Sequence, residues 1–299
     1  KRGFSHSTGQ TTIDALLVET RSGRGAICAR VFIDASGDGD LAAWSGAPLE
    51  KGPELMYPSS MFRVNGVDAA RAGDAWNHFG ALMAEAQAKG RRFARRTPII
   101  RPQKNPAEWR ANVTQLSNAD GSAVDGTDAW QLSAAEVDGR RQIVDFVSFL
   151  RESAPGFENA YLLEIAPQVG IRETRRIVGE CVLTETHVLG CASFDDSIGV
   201  NGWPIEAHVR GDVVFRFTDV PQCRGYNQLP LRMIVPRVVD NLLVAGRCAS
   251  MSHEGQSAAR VSGACFVMGE AAGALAALSR QHAWRPRQVP APQVQRQLE

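Results

Sequence analysis

Two stretches of the chain pass from an apolar run to a turn of small residues and then to a helical pattern. The first is VFIDASGDGDLAAWSGAP, residues 31–48, and the second begins with NLLVAG, residues 241–246. A nearly continuous apolar run is typical of a strand that is buried on both faces. A tight turn from such a strand into a helix is the local geometry of a nucleotide site. Because the two stretches lie near opposite ends of the chain, we predict one discontinuous cofactor-binding domain with a second domain inserted into it.

Between and around these stretches the pattern predicts further elements. Strands are expected at 13–20, 26–35, within 161–184, at 203–209 and at 212–220, and helices at 68–90, at 134–152 and from near Ser257 onward. The predicted domains are 1–48 (cofactor domain), 49–235 (α+β cap or substrate domain), 236–284 (last strand and helix of the cofactor domain) and 285–299 (a peripheral, proline-broken tail).

Composition narrows the possible partners. The 299 residues are 44% hydrophobic and 22% charged, with a formal net charge of +1. Such a balance gives no reason to predict a nucleic-acid or membrane partner. The apolar stretch 257–279 carries Arg260 and Glu270, so we interpret it as a buried helix rather than a membrane span. Composition says nothing about oligomeric state.

The six cysteines have neither C-x-x-C nor zinc spacing, and we predict no metal site. We interpret them as reduced, buried thiols of a cytoplasmic protein, since disulfides are rare in the cytosol.

The turn GDGDLA, residues 37–42, formally matches G-x-G-x-x-[GA] after a strand. Its two carboxylates, Asp38 and Asp40, would repel a pyrophosphate unless they point away from it. This turn is therefore not expected to be the primary phosphate loop, although its glycines suit a close backbone approach.

The helix after residue 257 contains three glycines, Gly263, Gly269 and Gly273. Each costs about 1 kcal/mol relative to alanine in a helix interior, which indicates close packing against a sheet or a ligand. Its first turn would offer unpaired N–H groups and the positive end of the helix dipole.

Two side chains are candidates for the chemistry itself. Arg260, predicted near the start of that helix among small apolar residues, would need an anionic partner. His208, on a predicted strand, is a candidate proton-transfer group. The arginines of GIRETRR, Arg172, Arg175 and Arg176, are interpreted as solvated or ion-paired.

The ordered motifs IDASGDGDLAAWSGAP, GIRETRRIVGECVLT, WPIEAH and LPLRMIVPRVVDNLLVAGRCAS resemble the FAD-dependent oxidoreductases of the glutathione-reductase-like flavoproteins. Fumarate reductase and succinate dehydrogenase flavoprotein subunits are more distant relatives. The resemblance implies an α/β fold: a discontinuous Rossmann-like FAD-binding domain with an inserted α+β cap or substrate domain. In such families an N-terminal G-x-G-x-x-G unit binds the pyrophosphate. The chain opens with KRGFSHSTGQTTIDALLVET instead, so we expect a domain that is incomplete at its N-terminus and binds FAD weakly or not at all alone.

The resemblance also implies roles for individual residues. Cofactor-binding residues would be Ala35, Ser36 and Gly37 beside the dinucleotide, Gly246 and Arg247 toward the ribityl–phosphate region, and Ser262, Gly263 and Ala264 near the flavin pyrimidine edge. Arg260 corresponds to an arginine that faces the substrate in the fumarate-reductase relatives, although this chain reads AARVSGAC where they read N-R-L-G-G-N.

The resulting hypothesis is an FAD-dependent oxidoreductase that transfers a hydride between flavin and a small, carboxylate-bearing substrate, with Arg260 and His208 as catalytic residues. Two alternatives stay open on the residues alone. One is a nucleotide- or S-adenosylmethionine-dependent enzyme with its site at residues 31–42, and the other is a non-catalytic binding protein.

Overall fold

The computed structural model describes residues 11–218, 220–221 and 223–299. The first ten residues of the predicted segment 1–48 lie outside the described residues. Strands are β1 Leu16–Thr20, β2 Gly23–Ile27, β3 Phe32–Asp34, β4 Leu49–Glu50, β5 Phe62–Asn65, β6 Ile99–Pro102, β7 Trp109–Asn112, β8 Tyr161–Ile165, β9 Arg176–Ile177, β10 Ser197–Asn201, β11 Ile205–Val209, β12 Asp212–Arg216, β13 Asn227–Pro230 and β14 Leu242–Val244.

Helices and strands alternate in a mixed α/β order. The α-helices are α1 Asp40–Ser45, α2 Ala69–Ala72, α3 Phe79–Ala88, α4 Ala129–Ser153, α5 Glu185–Leu189, α6 His253–Ala259, α7 Ser262–His282 and α8 Ala291–Leu298, with short 3₁₀ turns at Ala75–Asn77, Leu231–Ile234 and Pro286–Gln288.

The chain forms two compact units. Of the described residues, the first contains 11–52, 174–206, 215–218, 220–221 and 223–299, and the second contains 53–173 and 207–214. The chain crosses from one unit to the other within β11 and again within β12. The predicted domain limits of 48 and 235 remain predictions.

The first unit is built from small sheets. β3 pairs with β14 in parallel, whereas β1 with β2, β4 with β9, and β10 with β13 are antiparallel. Leu242, Leu243 and Val244 are completely buried, as the apolar run predicts for a strand buried on both faces. α7 packs against β10, β14 and α8. α7 also has the length and composition of a membrane-spanning helix, a property shared by many core helices, and among the described residues no other helix has it.

The second unit contains a four-stranded antiparallel sheet in the order β6-β7-β5-β8. Its core contains Phe62, Phe79, Trp109, Phe146 and Phe149, contributed by the sheet, α3 and α4. α4 begins five residues before the predicted residue 134, because Asp128 accepts hydrogen bonds from the N–H groups of Trp130 and Gln131.

Several other predicted elements differ from the structure. The strand expected at 26–35 is divided between β2 and β3, and the helix expected at 68–90 is interrupted at Gly73, whose φ is 49°. The tail expected to be peripheral forms α8 instead, whose Val294 is completely buried. Gln295 of α8 also donates hydrogen bonds to the carbonyl oxygens of Asp195 (2.9 Å) and Ser197 (3.1 Å).

Candidate functional site

The candidate cofactor edge lies where the parallel strands β3 and β14 end. Leu242, Leu243 and Val244 pair with Phe32, Ile33 and Asp34, so both strands run in the same direction. The carboxyl ends of parallel strands meet at one edge of the sheet, where ligands bind in open α/β folds. The loop that contains Ala35, Ser36 and Gly37 follows β3, and Gly246 and Arg247 follow β14. The structure therefore brings these two predicted segments, more than 200 residues apart, to one edge.

A buried carboxylate holds the first loop in place. Asp34, 2% exposed, accepts hydrogen bonds at Oδ1 from the N–H (3.0 Å) and hydroxyl (2.7 Å) of Ser36, and at Oδ2 from Ala42 N–H (2.9 Å). The Ser36 hydroxyl in turn accepts from Asp40 N–H at 3.1 Å. The Ser36 side chain is thus committed to the loop itself. Sequence reasoning missed Asp34, although a carboxylate inside the apolar run VFIDA was a visible signal.

The two acidic residues of this turn are matched by arginines. Arg247 Nη1 lies 2.7 Å from Asp38 Oδ1, which also accepts the Thr174 hydroxyl at 2.6 Å. Arg175 donates from Nε to the Asp38 carbonyl oxygen at 2.8 Å and pairs with the Asp40 carboxylate. The repulsion expected between this turn and a pyrophosphate is therefore offset by two guanidinium charges. Arg175 was interpreted as solvated or ion-paired, and it is ion-paired.

Gly37 lies directly against the guanidinium of Arg247. A Cβ atom at Gly37 would lie 2.8 Å from Arg247 Nη2 and 3.3 Å from its Cζ. Gly37 also has a φ of 80°, in the left-handed region that favours glycine. The backbone conformation therefore favours glycine at this position, and a larger residue would displace the Arg247 guanidinium.

The C-terminal helical region is divided, which corrects the sequence prediction of one helix from near Ser257. α6 ends at Ala259, and α7 begins at Ser262 after Val261 adopts an extended conformation with ψ of 156°. Arg260 is the C-cap residue of α6 rather than a residue near the start of a helix. Its Nη2 donates to the Glu206 carbonyl oxygen at 3.1 Å. The apolar pattern runs through this break, so it gave no sign of it.

The first turn of α7 supplies backbone donors. Val261 precedes it with no polar side chain to cap it, and Ser262 and Gly263 are exposed. The first N–H groups of a helix have no intrahelical acceptor and lie at its positive end. A Cβ atom at Gly263 would meet no atom within 4 Å, whereas one at Gly246 would lie 3.7 Å from Cys265 Sγ. The first turn of α7 therefore adjoins the end of β14, and the segment 262–264 joins the candidate cofactor edge.

The two predicted catalytic residues lie in different units. Arg260 belongs to the first unit and His208 to the second. His208 is 3% exposed on β11, and its carbonyl oxygen accepts the Tyr57 N–H at 3.0 Å. Their proposed roles in catalysis stay predictions.

The second unit buries two guanidinium groups that the sequence reasoning did not assign to a site. Arg95 is 1% exposed and Arg172 is 7% exposed. Asn112 Oδ1 accepts from Arg95 Nη1 at 3.1 Å, and Arg172 donates to the Ser59 hydroxyl and the Tyr57 carbonyl oxygen, each at 2.7 Å. Arg172 is therefore not a solvated residue. Its neighbours in the motif GIRETRR gave no signal of this burial.

Comparisons with known proteins place the chain in a family. Comparison with curated protein sequences finds no match. Among solved structures, the chain is similar to a triple mutant of the flavin-dependent brominase Bmp2, with 12% identity, a TM-score of 0.31, and coverage of 98% of this chain and 53% of that one. The chain thus spans about half the length of the brominase. The family model described as FAD dependent oxidoreductase matches residues 4–298. The chain therefore belongs to the FAD-dependent oxidoreductase family, whose cofactor is FAD.

Proposed function

We propose that this protein is an oxidoreductase that transfers a hydride between FAD and a small, carboxylate-bearing substrate in the cytoplasm. The FAD-binding domain would be discontinuous and Rossmann-like, with an inserted cap that selects the substrate. The observation that carries the proposal is the meeting of three chain segments, 35–37, 246–247 and 262–264, at one edge of the first unit. Family membership favours this function over an S-adenosylmethionine-dependent enzyme or a non-catalytic binding protein.

The residues at this edge fit a dinucleotide in their chemistry. A pyrophosphate needs N–H donors and positive charge, and an electron-rich ring edge needs N–H donors. Arg247, whose side chain is 17% exposed, supplies guanidinium N–H donors, and the first turn of α7 supplies N–H groups and the positive end of its dipole beside the open space at Gly263. Asp38 and Asp40 do not oppose this fit, because each is paired with an arginine.

The proposed roles of the chain follow from these positions. The N–H groups of Ser262, Gly263 and Ala264 would orient the electron-rich edge of the flavin, and Arg247 would face the phosphate region. FAD, when bound, supplies the hydride-transfer chemistry, while the protein supplies orientation and charge. Arg260, held by the Glu206 carbonyl oxygen, would attract the substrate carboxylate. His208 would hold or release the proton that accompanies hydride transfer.

A glycine pair in the first unit tests whether this edge binds FAD. Gly37→Ala would force the Arg247 guanidinium away from Asp38, and we expect it to weaken FAD binding at least about tenfold, which corresponds to about 1.4 kcal/mol. The measurement is a titration of FAD fluorescence quenching with the protein expressed at the full length of its gene, together with the visible absorbance of bound flavin.

Gly46→Ala is the matched control. Gly46 has a φ of 82°, close to the 80° of Gly37, but a Cβ atom there would meet nothing within 4 Å. Both variants therefore carry a similar backbone cost of about 1–2 kcal/mol, and they differ in the contact with Arg247. Equal FAD affinity in the two variants would contradict the placement of the cofactor at this edge. Absence of flavin from the wild-type protein would contradict the proposed function itself.

A further inference from the structure

Two cysteines of the first unit lie in direct contact although they are 32 residues apart in the chain. The Sγ atoms of Cys191 and Cys223 are 2.6 Å apart, and both side chains are partly exposed. A disulfide bond is about 2.05 Å long, so the two sulfur atoms need to approach by only about 0.5 Å to form one. From the sequence alone both were interpreted as reduced, buried thiols, because nothing in their spacing pairs them, whereas both are partly exposed in the structure.

Other contacts hold the two cysteine-bearing segments together without the sulfur atoms. The Thr218 hydroxyl donates to the Leu189 carbonyl oxygen at 2.6 Å. On the other side of Cys223, Arg224 Nη2 donates to the Ser193 hydroxyl at 2.8 Å and to the Ala192 carbonyl oxygen at 3.1 Å. These contacts hold the segment on both sides of Cys223 beside the end of α5 without involving the sulfur atoms.

The backbone at Cys191 is unusual. Its φ is 52°, and among the described non-glycine residues only Ala283 also has a positive φ. Cys191 follows the end of α5, where a glycine or asparagine commonly takes the left-handed conformation. A cysteine there has a conformational cost, which commonly marks a position where the side chain has a function.

The surroundings of Cys223 favour its thiolate. Hydrogen bonds with the Cys191 thiol, the Thr218 hydroxyl and the Gly225 N–H, together with the nearby charge of Arg224, lower the pKa of Cys223. The thiolate is the form that attacks a disulfide, and thiol reactivity follows the thiolate fraction and exposure.

The pKa values of the other partly or fully buried thiols are shifted in the opposite direction. Burial raises the pKa of Cys248 to about 12 and also raises the pKa of Cys181 and Cys265. These shifts disfavour the thiolate form of all three thiols. Cys28 is exposed, but it lies in no described pair of cysteines.

We propose that Cys191 and Cys223 form a reversible dithiol–disulfide site that reacts with low-molecular-weight disulfides of the glutathione class. The Cys223 thiolate attacks one sulfur of the small disulfide, forming a mixed disulfide and releasing one small thiolate. The Cys191 thiolate then attacks the Cys223 sulfur and releases the second. The two cysteines lose two electrons and two protons, and the small disulfide is reduced to two thiols.

Oxidation would attach the connection between β12 and β13 covalently to the end of α5. That connection carries exposed apolar side chains, including Phe217 at 68% and Val220 at 41% exposure. The dithiol site would thus fix the position of this exposed surface. The proposal is independent of the proposed flavin chemistry.

Peptide mapping of the wild-type protein is the direct test. The reduced protein is incubated with oxidised glutathione, the remaining thiols are alkylated under denaturing conditions, and the peptides are identified by mass spectrometry. We expect a crosslinked pair of peptides joining Cys191 to Cys223, which disappears after treatment with dithiothreitol. A stable glutathione adduct on Cys223 with Cys191 alkylated would overturn the proposal, as would a crosslink of either residue to Cys28.

Single substitutions resolve the order of the two steps. In Cys191→Ser the glutathione adduct should accumulate on Cys223, and in Cys223→Ser adduct formation on Cys191 should be about tenfold slower. Cys28→Ser is the control and should form the crosslink at the wild-type rate. A faster reaction at Cys191 than at Cys223 would contradict the assigned order. Circular dichroism checks that each variant folds. If a variant does not fold, the peptide mapping of the wild-type protein still tests whether Cys191 and Cys223 form a disulfide.

Discussion

The hydrophobic cores of the two units differ in their content of aromatic side chains. Among the described buried residues of the first unit's main core, Phe32 is the one aromatic, and alanines of α6 and α7 are completely buried. The core of the second unit contains a cluster of aromatic rings, in which Trp109 lies 5.2 Å from Phe157 and 6.2 Å from Phe79 by ring centroids.

The difference in core side chains matches the groups that form the candidate cofactor edge. Small side chains allow backbones to approach closely, and the candidate cofactor edge of the first unit consists of backbone N–H groups, glycines and one guanidinium. Aromatic rings bury a large area per residue and contact each other edge to face. The second unit therefore derives much of its core stability from aromatic rings, and the first unit from aliphatic side chains together with closely packed alanines.

Removing a large ring from the second unit should have the largest effect. Trp109 is 2% exposed, contacts three aromatic rings and donates from Nε1 to the Pro106 carbonyl oxygen at 3.1 Å. We expect Trp109→Ala to lower the free energy of unfolding by about 3–5 kcal/mol, measured by chemical denaturation. Trp130→Ala is the control, because Trp130 is 87% exposed and should cost little. Similar losses in the two variants would refute the assigned role of the aromatic core.

Enlarging a small residue of the first unit should have an intermediate effect. Ala271 of α7 is completely buried, whereas Ala277 of the same helix is exposed. Ala271→Leu should lower the free energy of unfolding by about 1–3 kcal/mol through overpacking. Ala277→Leu changes the same atoms on the solvent side and should be neutral. If both variants were neutral in denaturation experiments, the first unit would not depend on close packing at this helix.

Replacing a buried carboxylate of the first unit should have the smallest effect on the free energy of unfolding, and this effect should depend on pH. Burial alone would raise the pKa of Asp196, but hydrogen bonds from the Arg232 side chain and N–H outweigh it and lower the pKa. The pair contributes stability above the ordinary aspartate pKa of about 4, and the contribution is lost as pH falls through the lower folded value. Because Arg232 is half exposed, we expect Asp196→Asn to cost only about 1 kcal/mol at pH 7.

The pH profile separates this effect from a loss of packing. Melting temperatures of wild type and Asp196→Asn should converge as the pH is lowered from 6 to about 2. Asp145→Asn in the second unit is the control, since Asp145 is exposed, and the melting temperature of this variant should follow that of wild type across the pH range. A constant gap between wild type and Asp196→Asn across this pH range would rule out the ion pair as its cause.

Much of the local structure could be predicted from the sequence. The apolar runs VFIDA and NLLVAG are β3 and β14, and the small-residue turns that follow them contain Gly37 and Gly246 with positive φ. These features depend on neighbours within a few residues, which is the range that hydrophobic pattern and glycine propensity report. The resemblance of four ordered motifs also led to the family that the matched residues 4–298 confirm.

The break between α6 and α7 could not be predicted in the same way. The small and apolar pattern continues through AARVSGAC, so the local sequence favours one helix. The structure instead has Val261 extended and Arg260 bonded to the Glu206 carbonyl oxygen, 54 residues away in sequence. A contact at that distance along the chain leaves no periodic signal.

The sequence by itself determined the two strand–turn–helix segments, the positions that require glycine, and the family. Only the tertiary structure decided which charged and nucleophilic groups meet: Asp38 with Arg247, Asp40 with Arg175, and Cys191 with Cys223. The physical reason is how far apart along the chain the interacting residues lie. Backbone conformation responds to steric and hydrophobic preferences of adjacent residues, whereas ion pairs and sulfur contacts depend on distances between chain segments that only the folded packing brings together.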